Sequence, residues 1–500
     1  MTKINKTYTI YRGDNRSFKE INIKVPESTK EILIKGNYFP VKQKDKKKNW
    51  QLITPALKKY YKNKIKQKVI LKEAVKRLSP VRNLVRYALF DPEGYLRIQA
   101  IEFFRTMQLN EEYVTPGCYQ GKIPPGEWKL ILELHAVVTE RVTVEMEIEL
   151  NEKISPPVKS AEKLKKEKKE LNKLDINRKE KKLKNWYCGD LHVHSFHSDG
   201  NNSLAELIQD FHEKDIDFFV LSDHNTTSGW RKELLEYMLV IPGCEVTSFY
   251  GHFVGINQKD YIDWYDLDKK SNIEKIINII NKDDGLFSLA HYGSIGNPVC
   301  TGCRWEYENL NWQLVDCMEI ALDPDGNKKI ESETALEVWE EQLNQGRKIV
   351  AVSGRDIHTL SNDEKSRIPL TYVKAEDLSR ENILKGIKKG RVYLACSLDI
   401  DFKIENKACH RKYGPGEKVK LKRKIDNQLF INFKIKGLTA HSEIEIIKNG
   451  KLLKKFKTGK WMIERSFILE KFEENGWVNL RIKGKAGNLL GLTNPVFIGV

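Results

Sequence analysis

The chain has 500 residues, with 86 Lys and Arg against 69 Asp and Glu, which gives a formal net charge of +17. Hydrophobic residues make up 40% of the chain and ten residues are tryptophan, a composition that supplies buried cores and excludes a disordered protein. No run is apolar and long enough to span a membrane, and the N-terminus lacks the apolar core of a signal peptide. We therefore expect two or three domains of a cytoplasmic protein with no membrane role.

Residues 1–155 are predicted to form an N-terminal β-rich domain. Short runs rich in β-branched residues alternate with Pro and Gly turns, and LVRYALFDPEGYLRIQAI predicts two strands joined by a turn at 91–94. Such spacing favours a sandwich. A lysine-rich patch at 55–78 is ambiguous and also fits a helix. His135 lies in an apolar strand, so we interpret it as packed or edge-exposed rather than as a metal ligand.

Residues 156–185 are predicted to form a charged spacer, because nearly every residue from 159 onward is Lys, Glu, Asn or Leu. The favoured interpretation is a solvated helix between domains, with Leu164, Leu171 and Leu174 as a thin apolar stripe. A basic tail that binds nucleic acid is the alternative. The positive charge of the whole chain also favours anionic substrates by electrostatic steering.

The most informative stretch is WYCGDLHVHSFHSDG, residues 186–200. His192 and His194 point to the same side of an extended strand and can hold one divalent metal. Downstream, short apolar runs repeatedly end in ligand-type residues: Asp223, His224, Glu245, His252, His291, Asp356 and His358. Helix-length segments separate most of these runs, which predicts an α/β barrel over residues 186–400 with its chemistry at the C-terminal ends of the strands.

The remaining patterns are weaker. Eight scattered cysteines suggest no disulfide framework, and Cys300-Thr-Gly-Cys303 is a single CxxC, which predicts neither a zinc ribbon nor a thiol redox centre. Ser203 is a plausible N-cap of the helix after the HxH pair. Residues 401–500 return to strands, with a hairpin signal at Asn449-Gly450, and predict a C-terminal β-sandwich-like domain.

Several stretches together resemble one family: the HxH pair, SDHNTTSGW (222–230), PGCEVTS (242–248), GHFVGI (251–256), TGCRW (301–305) and GRVY (390–393). Over about residues 186–397 the chain resembles the PHP (polymerase and histidinol phosphatase) domain, and within that superfamily the CehA/McbA-type metallohydrolases. The resemblance implies a distorted (β/α)7 PHP-type barrel, here flanked by the N-terminal and C-terminal β-sandwich-like domains.

The resemblance also implies a set of nine metal ligands: His192, His194, Asp199, His224, Glu245, His252, His291, Asp356 and His358. They would hold up to three divalent ions, with zinc, manganese and iron all suited to mixed His and carboxylate ligands. The implied first group is His192, His194, Glu245 and Asp356. The second is Glu245, His252 and His291, and the third is Asp199, His224 and His358.

The implied activity is metal-dependent hydrolysis. The leading interpretation is a phosphoesterase in which a metal-bridging hydroxide attacks a small phosphorylated or nucleotide substrate. A carboxylic-ester or carbamate hydrolase and a non-enzymatic nucleic-acid-binding protein are the alternatives. Asp223 would orient a ligand or water, although a strand-end cap is an equal interpretation, and His197 would protonate a leaving group. Arg304, Arg355 and Arg391 are candidate substrate contacts, with Arg355 either a phosphate clamp or a salt-bridge partner.

Overall fold

The computed structural model describes residues 1–61, 64, 68–176, 185–271, 273–360, 367–421, 428–469 and 475–499. Within these ranges the chain has a mixed α/β fold with several sheets and few helices. The helices are α1 (Lys46–Tyr61), α2 (Lys68–Leu78), α3 (Lys159–Leu171), α4 (Leu204–Glu213), α5 (Glu274–Asn281), α6 (Lys329–Asn344) and α7 (Arg380–Lys388).

The strands of the N-terminal part and the central part are β1 (Thr2–Tyr11), β2 (Ser17–Val25), β3 (Glu31–Phe39), β4 (Leu84–Phe90), β5 (Leu96–Ala100), β6 (Met107–Asn110), β7 (Gly126–Ala136), β8 (Arg141–Asn151), β9 (Trp186–Val193), β10 (Phe218–Leu221), β11 (Leu239–Thr247), β12 (His252–Ile256), β13 (Leu286–Leu289), β14 (Cys317–Glu319) and β15 (Val350–Val352). The later strands are β16 (Pro369–Lys374), β17 (Val392–Cys396), β18 (Asp399–Asn406), β19 (Arg411–Tyr413), β20 (Lys418–Lys420), β21 (Leu429–Lys436), β22 (Ser442–Lys448), β23 (Lys451–Thr458), β24 (Met462–Leu469), β25 (Gly476–Lys483), β26 (Leu489–Thr493) and β27 (Val496–Gly499).

The N-terminal region consists of two four-stranded sheets, in the orders β1-β8-β3-β6 and β2-β7-β4-β5. Alternating apolar residues of both sheets, such as Ile34 and Val144 from one and Tyr87 and Leu130 from the other, fill one common core. The predicted strand–turn–strand unit is confirmed, because β4 and β5 pair antiparallel across residues 91–94. The ambiguous lysine-rich patch overlaps two helices, α1 and α2.

Seven consecutive strands of one long sheet, β9 to β15, contain the predicted ligands or lead into them, except for β14, which has none. Neighbours in this series are parallel except for β12, which lies antiparallel between β11 and β13. The carboxyl ends of the parallel strands and the start of β12 therefore meet at one edge of the sheet. This edge brings together residues that are distant in sequence.

The expected distorted (β/α)7 barrel is not present among the described residues, which form no closed barrel. A tight hairpin, not a helix, connects β11 to β12, and the strand series stays open. Closure would need the free edge of β9, but β16 pairs antiparallel with its first half, from Trp186 to Gly189. Between β9 and residues 353–360, an isolated parallel bridge joins Val193 to Ile357. That bridge places Asp356 and His358 beside the HxH pair.

The helices around this sheet follow local signals in part. Ser203 caps α4 by accepting a hydrogen bond from the Glu206 amide, as predicted. The helix predicted within residues 159–185 is present as α3, and its apolar stripe is packed as expected, with Leu171 buried. The lysines of α3 are mostly exposed, whereas Ala161 and Glu167 are also buried, and α3 contacts α4. Residues 177–184 of the predicted spacer lie outside the described residues.

The C-terminal region shares a sheet with the ligand-bearing strands, because β26 pairs antiparallel with β17. A separate sheet, β19-β18-β21-β24, contributes side chains to the same core as β22, β25 and β26. The predicted hairpin at Asn449-Gly450 is confirmed by the pairing of β22 with β23. The domain boundaries at 155, 185 and 400 stay predictions. Among the described residues, no helix has the length and apolar character required to cross a bilayer.

Candidate metal centre

Glu245, on β11, lies at the middle of the cluster and is fully buried. Its Oε2 is 3.2 Å from Nε2 of His192 and 3.5 Å from Nε2 of His194. The same oxygen is 2.7 Å from Nδ1 of His224, the ring nitrogen that also contacts Thr247. Oε1 of Glu245 is 3.0 Å from Nε2 of His291 and 3.2 Å from Nδ1 of His252. One carboxylate therefore faces two separate pairs of imidazoles, the arrangement of a carboxylate that bridges two cations.

Two aspartates complete the cluster on its more exposed side. Oδ1 of Asp356 is 3.0 Å from Nε2 of His194 and 3.5 Å from Nε2 of His192. Oδ1 of Asp199 is 3.2 Å from Nε2 of His358, and it is 3.4 Å from Nε2 of the His224 ring that contacts Glu245. With these contacts, the structure brings all nine residues predicted as ligands into one continuous cluster.

Three groups within the cluster have ligand atoms that all lie within 4.8 Å of one another. The groups are His192, His194, Glu245 and Asp356; His194, Asp199, His224 and His358; and His252, His291 and Cys303. The first group matches the predicted first group. The second adds His194 to the predicted third group, and the last adds a cysteine to the histidines of the predicted second group.

The donor atoms fit a bound cation. Buried polar atoms in proteins nearly always have a hydrogen-bond partner. Here four buried ligand atoms have none, although other polar atoms lie about 3 Å away: His192 Nε2, Asp199 Oδ1, Glu245 Oε2 and His252 Nδ1. Ligand atoms that lie close together without forming hydrogen bonds are expected where all of them point at one bound ion. Mixed imidazole and carboxylate ligation suits zinc, manganese and iron.

The electrostatics of the cluster point the same way. Burial lowers the pKa of His192, but the carboxylates of Glu319 and Glu245 outweigh it and hold this pKa well above its usual range. Burial raises the pKa of Asp356, yet the charge of His192 and the hydrogen bond from His194 hold it well below. The buried carboxylates therefore require compensating positive charge, which a divalent cation supplies as well as a proton does.

Two ligands sit in strained backbone conformations immediately after their strands. His291 has φ of 28° and Asp356 has φ of 56°, both in the left-handed region that non-glycine residues seldom adopt. Each such residue costs on the order of 1–3 kcal/mol and persists where the surrounding structure imposes it. In these conformations His291 faces Glu245, and Asp356 faces His192 and His194.

Glu319, at the end of β14, was missed by the sequence reasoning. It is almost fully buried, and its Oε1 accepts a hydrogen bond from Nδ1 of His192 at 2.9 Å. Its Oε2 accepts one from the backbone N–H of His291 at 2.6 Å. The signal that identifies it is the same as for the ligands, since Glu319 also ends a short apolar strand.

Other groups orient the outer nitrogens of the histidines. Thr247 Oγ1 lies 2.6 Å from Nδ1 of His224. The backbone carbonyls of Thr301 and Cys303 accept from the outer nitrogens of His252 and His291. Such partners hold ligand rings in place and select their tautomers. Because every residue has a backbone carbonyl, the sequence cannot show which carbonyls bind the ligand rings, and only the fold identifies them.

Asp223 contacts the loop after the HxH pair rather than the ligand cluster. Oδ1 accepts from the Ser195 N–H and the Ser198 hydroxyl, and Oδ2 accepts from the Ser195 hydroxyl. Burial raises the pKa of Asp223 to about 6 against the effect of these hydrogen bonds. Its contacts make it a residue that shapes the loop leading to Asp199, not one that touches reacting atoms.

His197 does not have the properties of the predicted general acid. It is buried, its Nδ1 lies 3.2 Å from Ser228 Oγ, and it lines a cavity of about 550 Å³ together with Tyr119 and Arg231. Burial lowers its pKa to about 3. A histidine with this pKa is neutral at physiological pH, and a neutral imidazole is a far weaker acid than the imidazolium that a general acid requires.

Two of the three predicted arginine contacts are engaged elsewhere. Arg355 pairs with the buried carboxylate of Asp190 through Nε, so the salt-bridge interpretation describes it better than the phosphate clamp. Arg391 lines a basic cleft of about 830 Å³ together with Lys348 and Lys389. This cleft lies beside the first residues of β9 and β15, which is the opposite end of the sheet from the ligands. This position, remote from the ligand cluster, does not support the expected contact with substrate.

Arg304 remains next to the cluster. It follows Cys303, donates to the Tyr292 carbonyl at 2.9 Å, and lies over the Tyr292 ring beside His291. The cluster itself opens toward solvent on the side of the aspartates. The side chains of Asp356 and His358 are 36% and 35% exposed, whereas those of His192 and Glu245 are 0% exposed. The ligands are therefore accessible to solvent from that side.

The CxxC motif also differs from expectation. Cys300 and Cys303 form a disulfide with Cα atoms 5.5 Å apart, although the scattered cysteines predicted none. The loop closed by this disulfide lies against His252 and His291. Its Thr301 and Cys303 carbonyls accept hydrogen bonds from these two rings.

Comparison with known proteins gives remote matches. No family model matches the chain, and no curated protein matches its sequence. Among solved structures, a two-domain protein from Bacteroides vulgatus ATCC 8482, described as containing a predicted PHP-like metal-dependent phosphoesterase, has a TM-score of 0.37 and 14% identity. That match covers 62% of this chain and 95% of the other.

Two further structures match shorter segments. A putative metal-dependent phosphoesterase from Bifidobacterium adolescentis ATCC 15703 has a TM-score of 0.25 and 13% identity over 34% of this chain and 87% of its own. An amidohydrolase from Chromobacterium violaceum, with bound sulfate and no metal, has a TM-score of 0.25 and 16% identity over 35% of this chain and 89% of its own. Likenesses this remote do not establish the activity of this chain.

Proposed function

We propose that this chain is a metal-dependent hydrolase of the PHP superfamily, of the CehA/McbA type, and that it acts as a phosphoesterase on small phosphorylated or nucleotide substrates. The observation that carries the proposal is the position of Glu245 between two pairs of histidines, His192 with His194 and His252 with His291. Two or three divalent ions, zinc, manganese or iron, would be held by the nine clustered residues.

Ions bound there would supply an acidified water as nucleophile and would offset the negative charge of the substrate. The protein residues have separate tasks. Glu319 keeps His192 in one orientation, and the buried walls of the cluster exclude bulk water on the side of Glu245. Asp199, Asp356 and His358 line the exposed side, so a substrate oxygen would approach between them.

A carboxylic-ester or carbamate hydrolase is the second candidate, and one observation favours it. Arg355 is paired with Asp190, and Arg391 lies at the other end of the sheet, which leaves Arg304 as the single predicted arginine contact beside the cluster. A neutral ester needs no arginine clamp, whereas a phosphate would depend on the metals for its charge partners. A nucleic-acid-binding role stays a prediction that a gel shift would test.

The test is a substrate panel with the purified full chain. p-Nitrophenyl phosphate, a thymidine phosphodiester and naphthyl acetate would each be offered to chelated protein and to protein reloaded with zinc, manganese or iron. We expect turnover of a phosphate substrate that disappears on chelation and returns with one of the metals. Turnover of naphthyl acetate alone would reject phosphoester hydrolysis in favour of the second candidate.

A matched pair of variants assigns the activity to the cluster. Glu245→Gln removes the bridging charge and should reduce turnover at least about a hundredfold, since metal effects on such reactions amount to several kcal/mol. Glu308→Gln neutralises an exposed carboxylate that pairs with Lys269, and it should leave turnover unchanged. Wild-type rates in Glu245→Gln would reject the proposed site.

A further inference from the structure

The loop from Cys300 to Cys303 covers two histidines of the cluster. The Thr301 carbonyl accepts from Nε2 of His252 at 3.1 Å, and the Cys303 carbonyl accepts from Nδ1 of His291 at 3.3 Å. These bonds leave His252 Nδ1 and His291 Nε2 facing Glu245 Oε1. The loop therefore sets both the orientation and the tautomer of the two rings.

The loop also packs directly on one of the rings. Gly302 has φ of 79°, and a Cβ at this position would lie 2.7 Å from Nε2 of His252 and only 2.0 Å from the Ser248 carbonyl oxygen. Because no space separates loop from ligand, a change in the loop conformation is transmitted to the His252 ring.

The same loop brings sulfur to the site. One ligand atom from each of His252, His291 and Cys303 lies within 4.8 Å of the others, while Cys303 is bonded to Cys300. A thiolate together with imidazoles is a favourable donor set for zinc and for cobalt. A sulfur in a disulfide carries no thiolate charge. Cys303 can therefore bind a metal or pair with Cys300, but not both at once.

We propose that Cys303 is a redox-controlled metal ligand. This proposal rests on the proposed function, because it requires that His252 and His291 hold a metal. In the reduced chain the Cys303 thiolate joins these two histidines on the ion, and in the oxidised chain the disulfide withdraws this ligand and weakens binding at that position. Disulfides in cytosolic proteins are usually transient and redox-sensing, which agrees with such a role.

The oxidant that forms the Cys300–Cys303 disulfide would be a low-molecular-weight disulfide such as oxidised glutathione. The Cys303 thiolate leaves the metal and attacks one glutathione sulfur, which breaks the S–S bond and releases a first glutathione thiolate. The Cys300 thiolate then attacks Cys303 Sγ of the mixed disulfide and releases the second. Two electrons pass from the cysteine pair to the two glutathione sulfurs, and a dithiol reductant reverses both exchanges.

Cobalt binding tests the proposal independently of activity. The full chain would be reduced with dithiothreitol, desalted without oxygen and titrated with Co²⁺. We expect a near-ultraviolet thiolate-to-cobalt charge-transfer absorption that disappears when oxidised glutathione is added, with cobalt affinity at this position at least tenfold weaker. Cys303→Ser should lack the absorption. Cys300→Ser, the matched control that also prevents the disulfide, should keep it.

The outcomes separate this proposal from the proposed function. Cobalt bound with visible ligand-field bands but without the charge-transfer absorption would overturn the role of Cys303 and leave the hydrolase site intact. An absorption that persists in Cys303→Ser, or equal cobalt affinities in the reduced and oxidised wild-type chain, would also overturn it. A chain that binds no cobalt in either state would overturn both proposals. If Cys303→Ser fails to fold, the oxidation of wild type and the Cys300→Ser spectrum still decide.

Discussion

Nδ1 of His192 donates a hydrogen bond to Oε1 of Glu319 at 2.9 Å, although the two residues are 127 positions apart in the chain. The other carboxylate oxygen of Glu319 accepts the backbone N–H of His291. One buried carboxylate thus fixes the ring of one ligand and the backbone of another. It lies behind the cluster and leaves Nε2 of His192 free to face Glu245 and Asp356.

Glu319→Gln is predicted to lower metal affinity about 10- to 100-fold, because loss of a charged partner reduces the basicity and the fixed orientation of the ligand ring. Competition with a chromophoric chelator measures the change. Glu308→Gln is the control, since it neutralises an exposed glutamate away from the cluster. Equal affinities for Glu319→Gln and wild type would show that the hydrogen bond to His192 does not support metal binding.

Gly354→Ala is predicted to destabilise the fold and to disturb His192. A Cβ at Gly354 would lie 2.4 Å from Cβ of His192 and 2.8 Å from Oε1 of Glu319, closer than real contacts allow. Overpacking of this kind costs about 1–3 kcal/mol. Thermal unfolding and metal content would be measured together. Gly13→Ala is the control, since its added Cβ would meet no atom within 4 Å, and unchanged metal content in Gly354→Ala would contradict the prediction.

His135 is predicted to make stability fall in mild acid. It is fully buried, its Nε2 lies 3.0 Å from Oε2 of Glu133, and burial lowers its pKa to about 4. The unfolded histidine titrates at about 6.5, so between these values the unfolded chain binds more protons and the free energy of unfolding falls as pH drops. The contribution of this group is about 2 kcal/mol between pH 7 and pH 5.

The measurement is urea unfolding of wild type and His135→Gln at both pH values. The free energy of unfolding of the variant should change less between pH 7 and pH 5, by about that 2 kcal/mol. His212→Gln, on an exposed residue of α4, controls for loss of a histidine as such. The same pH dependence in all three proteins would remove His135 as a source of acid sensitivity.

Glu167→Ala is predicted to loosen α3 from the rest of the chain. Glu167 is buried. It accepts a hydrogen bond from the Leu204 N–H at 2.8 Å and forms an ion pair with Arg231 at 2.7 Å. Removing it leaves the N–H at the start of α4 unsatisfied, at a cost of about 1–3 kcal/mol. Thermal unfolding measures the loss. Glu162→Ala, an exposed position of the same helix, should have little effect, and equal losses would contradict a specific role for Glu167.

Much of the candidate site follows from local pattern. Glu245 and Asp356 were identified as a carboxylate in or after a short apolar strand. Side chains alternate along a strand, and the carboxyl ends of parallel strands lie together whatever helices connect them. Strand pairs with turn residues between them were predictable for the same local reason, as at Asn449-Gly450. Glu319 obeys this rule too and was within reach of it.

The amino-acid sequence by itself determined which residues have metal-binding chemistry and which segments are strands, since both depend on side-chain type and short-range periodicity. Only the tertiary structure decided that β16 occupies the edge of β9 and keeps the sheet open, that Glu167 of α3 is buried against α4, and that Arg355 and Arg391 are directed away from the ligands. These outcomes depend on which distant surfaces bury one another and which buried charges find partners. Such pairings are long-range contacts, and local sequence carries no record of them.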